Sequence, residues 1–388
     1  MTQFEFFSLQ PPRCLRLGVL RVSIGADWTH STKSIIERSV RTEDTQRTPR
    51  HRGRRGYAEN HRYTAKISLN EEVRMKVWSL LLLIIVVFAP TIVRSQTPKT
   101  AEEYNNRGFD RQNSGDHDGA IDDFTKAIAL KPKPATLATL YNNRANAFMS
   151  KNNFDAAISD YSSAIQLQPG EYENYYNRGV ALHNKNSFDA AIADFTKAIE
   201  LFPRFALAYN NRGNARSAKG DLDGAIADYA KAIAIFPQSP DTYYNRGIAF
   251  QAKGNMDDAI KDFTAVLSIS PDFYLANVNR AVALLEKGDL DGAIADYTRA
   301  LQFKTDDAAI YYGRGSARQK KKDFAGALAD YTKTISIDPR HALAYANRGV
   351  VKSLQKMSDA DADFEMAFRL NPSLKTTYRE FSEKRRRP

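Results

Sequence analysis

Proline returns every 34 residues through the middle of this 388-residue chain, at Pro169, Pro203, Pro237 and Pro271. A unit of that length cannot bury its own apolar face. It becomes stable when copies stack, so the period predicts an array of like units instead of a globular domain. Aligned on the prolines, eight units begin at Ala101, Ala138, Tyr172, Ala206, Pro240, Tyr274, Ala308 and Ala342. Places in a unit are numbered one to 34 from these starts.

Within each unit, apolar and small residues recur at three- and four-residue steps on both sides of a polar break, the pattern of two amphipathic helices. Gly220, Gly254 and Gly288 sit in the break, suited to a left-handed helix end, and Asp221, Asn255 and Asp289 follow as helix-starting caps. The proline at place 32 stops the second helix. If the helices fold back antiparallel, place four lies level with place 27, a ring against a small residue. Place eight, Gly or Ala, then comes beside a Phe or Tyr at place 24.

Place seven is Arg in all eight units: Arg107, Arg144, Arg178, Arg212, Arg246, Arg280, Arg314 and Arg348. Place 23 is Asp in all eight: Asp123, Asp160, Asp194, Asp228, Asp262, Asp296, Asp330 and, after a one-residue gap, Asp363. The two places come within one residue of level, which predicts a structural ion pair inside every helix pair.

With Tyr at four, Gly at eight, Ala at 20, Phe or Tyr at 24, Ala at 27 and Pro at 32, the unit resembles the tetratricopeptide repeat. The resemblance covers residues 101–373. It implies an all-α, right-handed superhelical solenoid of eight antiparallel helix pairs, and the residues after Pro372 add a C-terminal capping helix. Unit six departs most: Asn277 replaces the ring, Ala281 the glycine and Thr305 the proline, so the joint between units six and seven is the one in question. Unit eight has lost a residue between its helices, and three residues are inserted around Lys133–Thr136. In the segment 374–388, Leu374, Tyr378 and Phe381 share one helical face above a basic tail.

The net charge of +11 suggests nucleic acid until it is placed. The basic excess lies in residues 1–76 and 375–388, while the repeats are near neutral, so no nucleic-acid partner is expected. From Met75 a lysine, an apolar run and Val93-Arg94-Ser95 follow in the order of a secretory signal peptide. On that reading residues 75–95 are removed near Ser95, residues 96–100 form a short linker, and the product is periplasmic or secreted. The alternative is a signal anchor in which the uncharged residues 77–93 stay in the membrane, the only membrane contact expected. Residues 1–74 lack periodicity and read as disordered, or as an upstream extension to a chain that starts at Met75. The one cysteine, Cys14, lies there, so the repeats hold no disulfide.

No catalytic motif, metal site or cofactor is expected. His117, His183 and His341 lie in different units. The GDLDGA segments at Gly220 and Gly288 lack the twelve-residue calcium pattern and read as turn and cap. What remains is surface. In the family that the chain resembles, the first helices line a groove. Place six here is Asn106, Asn143, Asn177, Asn211, Asn245, Asn279 and Asn347, interrupted at Gly313. This resembles the asparagine ladder of the O-linked N-acetylglucosamine transferases, which implies a peptide-binding groove, since an amide can bond a peptide backbone without reading its side chains. Tyr176, Tyr244 and Tyr312 at place five add rings beside the amides. The opposing reading has place six packing neighbouring helices. The basic set that a carboxylate clamp needs is missing. The expectation is a non-catalytic scaffold for an extended peptide or protein segment, with end-on assembly into a membrane or envelope complex as the alternative.

Overall fold

The computed structural model describes residues 98–379 and residue 381. Among them there are seventeen helices and no strand. The first unit is α1 (Ala101–Asn113) and α2 (His117–Ala129), and the second is α3 (Pro134–Ser150) and α4 (Phe154–Leu167). Four units of closely similar length follow: α5 (Tyr172–Asn184) with α6 (Phe188–Leu201), α7 (Ala206–Ala218) with α8 (Leu222–Ile235), α9 (Pro240–Ala252) with α10 (Met256–Ile269), and α11 (Tyr274–Lys287) with α12 (Leu290–Phe303). The last two are α13 (Ala308–Lys320) with α14 (Phe324–Ile337), and α15 (Ala342–Leu354) with α16 (Ala360–Leu370). A short α17 (Leu374–Thr377) ends the series. Each helix packs on its partner and on the first helix of the next unit, the arrangement of an all-α solenoid.

The turn inside each unit is set by one residue. Place 15 has positive φ in every unit: Gly115, Asn152, Asn186, Gly220, Gly254, Gly288, Lys322 and Lys356. Four glycines take this conformation without a Cβ penalty, whereas the asparagines and lysines bear a cost of about 1–2 kcal/mol each. The next residue then caps the second helix. Asp116, Asn153, Asp221, Asn255, Asp289 and Asp323 each accept a backbone N–H three residues on. That is the use of the acidic GDLDGA segments. Among the described residues no acidic or histidine cluster is arranged to hold a metal ion.

The core of each unit is ring against small residue. A Cβ on Gly179, Gly213 or Gly247 would meet the place-24 ring of Phe195, Tyr229 or Phe263 at 2.7–2.8 Å, so these glycines allow the two helices to close. Unit six keeps the architecture despite its substitutions. Helix α12 ends at Phe303, the same place as its counterparts, without the proline. One apolar cluster runs from Ala281 and Tyr297 through Ala300 to Ile310 and Ala317, across the joint to unit seven. The local defect is Asn277, fully buried with neither amide atom hydrogen-bonded. The insertion after α2 becomes an extra turn at the start of α3, opened by Pro134 at its first position. Leu374 and Tyr378 close over Ala346 and Ala367, and Tyr378 and Phe381 pack against Val350 and Phe364. The expected signal or anchor segment and the leader before it lie outside the described residues, as does the basic tail. No helix of the described residues is long and apolar enough to cross a membrane.

Candidate functional site: the first-helix surface

Successive first helices, such as α5, α7, α9 and α11, approach one another directly, and they form one side of the array. Their exposed places decide what that side can bind. The ion pairs stand behind it. Each place-seven arginine donates through Nε and Nη2 to both oxygens of its place-23 aspartate, at 2.5–3.0 Å in all eight units. The aspartates are 0–6% exposed, and Asp123, Asp228, Asp330 and Asp363 hold a second cation, Arg111, Arg216, Arg318 and Lys352, at 2.8–3.0 Å. The same hydrogen bonds hold the pKa of Arg144, Arg178, Arg246 and Arg348 above the usual value, against the effect of burial. Seven of the guanidinium groups also lie over the place-four tyrosine, 5.5–5.9 Å from the ring centre. Arg280 has no such ring, because Asn277 stands there.

The arginines have a further role that the sequence reading missed. The remaining nitrogen, Nη1, donates to a hydroxyl of the preceding unit: Arg144 to Thr125, Arg178 to Ser162, Arg212 to Thr196, Arg280 to Thr264, Arg314 to Thr298 and Arg348 to Thr332, at 2.9–3.2 Å. The hydroxyl always sits at place 25. Arg246 lacks the bond because place 25 of unit four is Ala230. The recurrence of Thr or Ser at that place was the available signal. A second ladder joins Lys151, Lys185, Lys219, Lys253, Lys287 and Lys321 at place 14 to Asp118, Asp155, Asp189, Asp223, Asp257 and Asp291 at place 18 of the unit before. At the last joint both partners are lost together, as Ala325 and Gln355.

The place-six asparagines also reach across joints. Asn143 donates to Asn105, Asn211 to Tyr176, Asn245 to Asn210, Asn279 to Tyr244 and Asn347 to Tyr312, at 2.8–3.2 Å. In each case the acceptor is place five of the preceding unit. Unit six has Val278 at place five, which cannot accept, and the place-six residue after it is Gly313. A Cβ at Gly313 would also meet the Tyr297 ring at 2.6 Å. Two asparagines stand apart. Asn106, exposed, has no unit before it to bond. Asn177, half-buried, has lost its acceptor because Asn142 donates through Nδ2 to Asn174 and its Oδ1 accepts from Asn146. Neither side chain has a hydrogen-bond partner among the described residues.

The place-five tyrosines are likewise wedged into joints. Tyr176 lies between Phe195 and Phe205, Tyr244 between Phe263 and Phe273, and Tyr312 between Tyr331 and His341, with ring centres 4.7–5.9 Å apart. Burial pushes the Tyr244 hydroxyl up to about 12 and raises those of Tyr176 and Tyr312 as well. So the residues singled out as a ligand surface are, for the most part, also the joinery of the array. What they leave open are the amide carbonyls of Asn143, Asn245 and Asn279, which no described donor satisfies, and the whole amides of Asn106 and Asn177.

Comparison with known proteins agrees with this geometry. A family model described as TPR repeat matches residues 213–254, and models described as tetratricopeptide repeat match residues 142–203, 195–227, 244–309 and 308–341. Together they span residues 142–341, more than half of the 388. No curated protein matched. Among solved structures, the C-terminal part of a TPR repeat-containing protein from Cytophaga hutchinsonii is 20% identical, with 62% of this chain and 97% of that one covered and a TM-score of 0.53. YrrB, described as a TPR protein with an unusual peptide-binding site, is 23% identical over 48% of this chain and 97% of its own, with a TM-score of 0.45. A tetratricopeptide repeat protein from Parabacteroides merdae is 19% identical over 69% of this chain and 98% of its own, with a TM-score of 0.49. With a ring, a glycine, an Arg–Asp clasp and a left-handed turn returning at fixed places, the chain belongs to the tetratricopeptide repeat family.

Proposed function

We propose that this protein is a non-catalytic scaffold that holds an extended segment of a partner protein along its first helices. Its ligand is a peptide or protein segment, not nucleic acid. The reading rests above all on Asn177, a half-exposed amide with no hydrogen-bond partner among the described residues, in a row where the carbonyls of Asn143, Asn245 and Asn279 are also unpaired. An extended backbone offers an N–H and a C=O at each residue, and such a row can bond both without regard to side chains. Tyr176, Tyr244 and Tyr312 supply apolar area between the amides. Export, with cleavage near Ser95 or retention of residues 77–93, belongs to the same proposal and places the partner outside the cytoplasm.

The test uses peptides selected from a random-sequence library on the immobilised chain. Asn106→Ala with Asn177→Ala removes two amides that bond nothing in the protein, so the melting temperature should stay within the error of measurement. Affinity for the selected peptides should fall by about five- to tenfold, the loss of one to two net hydrogen bonds. Replacing backbone N–H groups of a selected peptide by N-methyl should weaken binding to a similar degree. Unchanged affinity in both measurements would sink the reading.

A further inference from the structure

The array exposes ten large apolar side chains among the described residues, and seven of them lie on one edge. Leu201 and Phe303 end second helices, Phe202 and Phe236 are the residues just after them, and Leu207 and Leu275 are the second residues of first helices. Leu130 holds the corresponding position after α2. In a stack of antiparallel pairs all these positions fall on the edge where one unit hands over to the next. Phe236 is 54% exposed, Leu207 57% and Phe303 50%, so the ion pairs and rings of the joints do not use them. The opposite edge carries only Leu354 and Met357. An exposed apolar row of this kind on a soluble body marks a contact surface.

The chain itself indicates what covers it. Helix α1 begins at Ala101, on the same handover edge, and its first turn is fixed by Thr100, whose hydroxyl accepts from Glu103 while the Glu103 carboxylate caps Thr100 and Lys99. Residues 94–100 separate this point from the uncharged apolar run at 77–93. Seven residues reach at most about 25 Å. A bilayer that keeps residues 77–93 therefore stands within about 25 Å of the start of α1, at the first end of the handover edge. The handover loops carry both signs of charge, with Lys131, Lys133, Arg204 and Lys304 against Asp241, Asp272, Asp306 and Asp307, so they are not selective for anionic headgroups. Their phenyl and leucyl tips suit the apolar boundary of a neutral membrane.

We propose that the edge bearing Leu201, Phe202, Leu207, Phe236, Leu275 and Phe303 lies on the bilayer that retains residues 77–93. The proposal rests on the anchored form of the export reading. It leaves the first-helix surface free, turned sideways to the membrane, where a partner segment can enter.

The repeats contain no tryptophan, since Trp28 and Trp78 both precede them, and this makes a clean probe. The full chain carrying Trp28→Phe and Trp78→Phe is reconstituted in phosphatidylcholine vesicles whose acyl chains are brominated. One tryptophan is introduced at a time: Phe236→Trp or Phe303→Trp on the edge, Leu354→Trp or Met357→Trp opposite. Flotation reads whether the chain is anchored, and circular dichroism reads whether the helices are intact. The expected result is flotation, with edge tryptophans quenched to less than half and the opposite ones unchanged. Flotation with unquenched edge tryptophans, or equal quenching at both edges, overturns the proposal and leaves anchoring intact. A chain that fails to float overturns the anchored reading and the proposal together.

Discussion

The place-seven arginine does three jobs with one planar group. Two nitrogens grip a buried aspartate, one reaches the unit before, and the face of the group lies over a tyrosine. Losing such an arginine while its aspartate stays buried costs about 3–5 kcal/mol. Unit five shows the job left partly undone, because Ala230 offers Arg246 no hydroxyl. Ala230→Thr should supply the missing bond and raise stability by about 0.5–1.5 kcal/mol, the net worth of one hydrogen bond, read from the urea midpoint. The same substitution with Arg246→Lys should gain little, since an ammonium cannot hold the aspartate in two places and reach the threonine as well. Equal gains in both backgrounds would show that the arginine does not reach the new hydroxyl. The Arg–Asp pair was legible in the sequence because both partners belong to one unit, and antiparallel folding brings them level. The hydroxyl at place 25 was not, because its use depends on which faces of neighbouring units meet, and a 34-residue period leaves that open. The asparagines at place six were read as ligand contacts for the same reason. Only the joint geometry shows that five of them bond place five of the unit before.

At the scale of the helix, six second-helix starts are fixed by a side chain at place 16 and two first-helix starts by Pro, but α15 is started by a histidine. The Nδ1 atom of His341 accepts from the Ala344 N–H at 3.1 Å, and its ring lies tilted against Tyr312 with centres 4.7 Å apart. Burial holds its pKa below the usual 6.5, with Asp338 opposing. A histidine that resists protonation in the fold contributes stability above its unfolded pKa and loses it as the pH falls through the folded one. Stability should therefore decline as the pH falls below about 6.5, the unfolded value. Protonation also removes the acceptor that starts α15. His341→Asn keeps a capping oxygen without the titration, so its loss of stability between pH 7 and pH 5 should be smaller than that of the parent chain. His183, whose pKa burial also lowers, remains in both chains and leaves a residual slope. An unchanged pH slope in the variant would remove His341 from the account.

At the scale of the molecule, the two ends of the array explain why it stops. Every inner unit turns small or apolar residues at place ten toward the unit before: Ala147, Ala181, Ala215, Ala249, Ala283, Ala317 and Val351 are at most 1% exposed. Unit one has exposed Asp110 there, exposed Glu103 in place of a buried residue at place three, and Ser114 where the inner units have the lysine of the ion-pair ladder. At the far end Leu374 and Tyr378 lie over Ala346 and Ala367. One end is polar and the other is covered, which argues against assembly by end-to-end stacking and leaves the side and edge surfaces for partners. The argument predicts that both ends must be opened to make a polymer. Asp110→Ala with Glu103→Gln keeps the cap on α1 while removing its charges, and deletion of residues 374–388 bares the last pair. In detergent solution the parent and each single-end variant should sediment as one chain at every concentration. The variant with both ends opened should give a mass that rises with concentration, because an apolar last unit then meets an apolar first unit in the register that every inner joint already uses. A parent chain that already grows end to end would show that the polar face of α1 is no barrier.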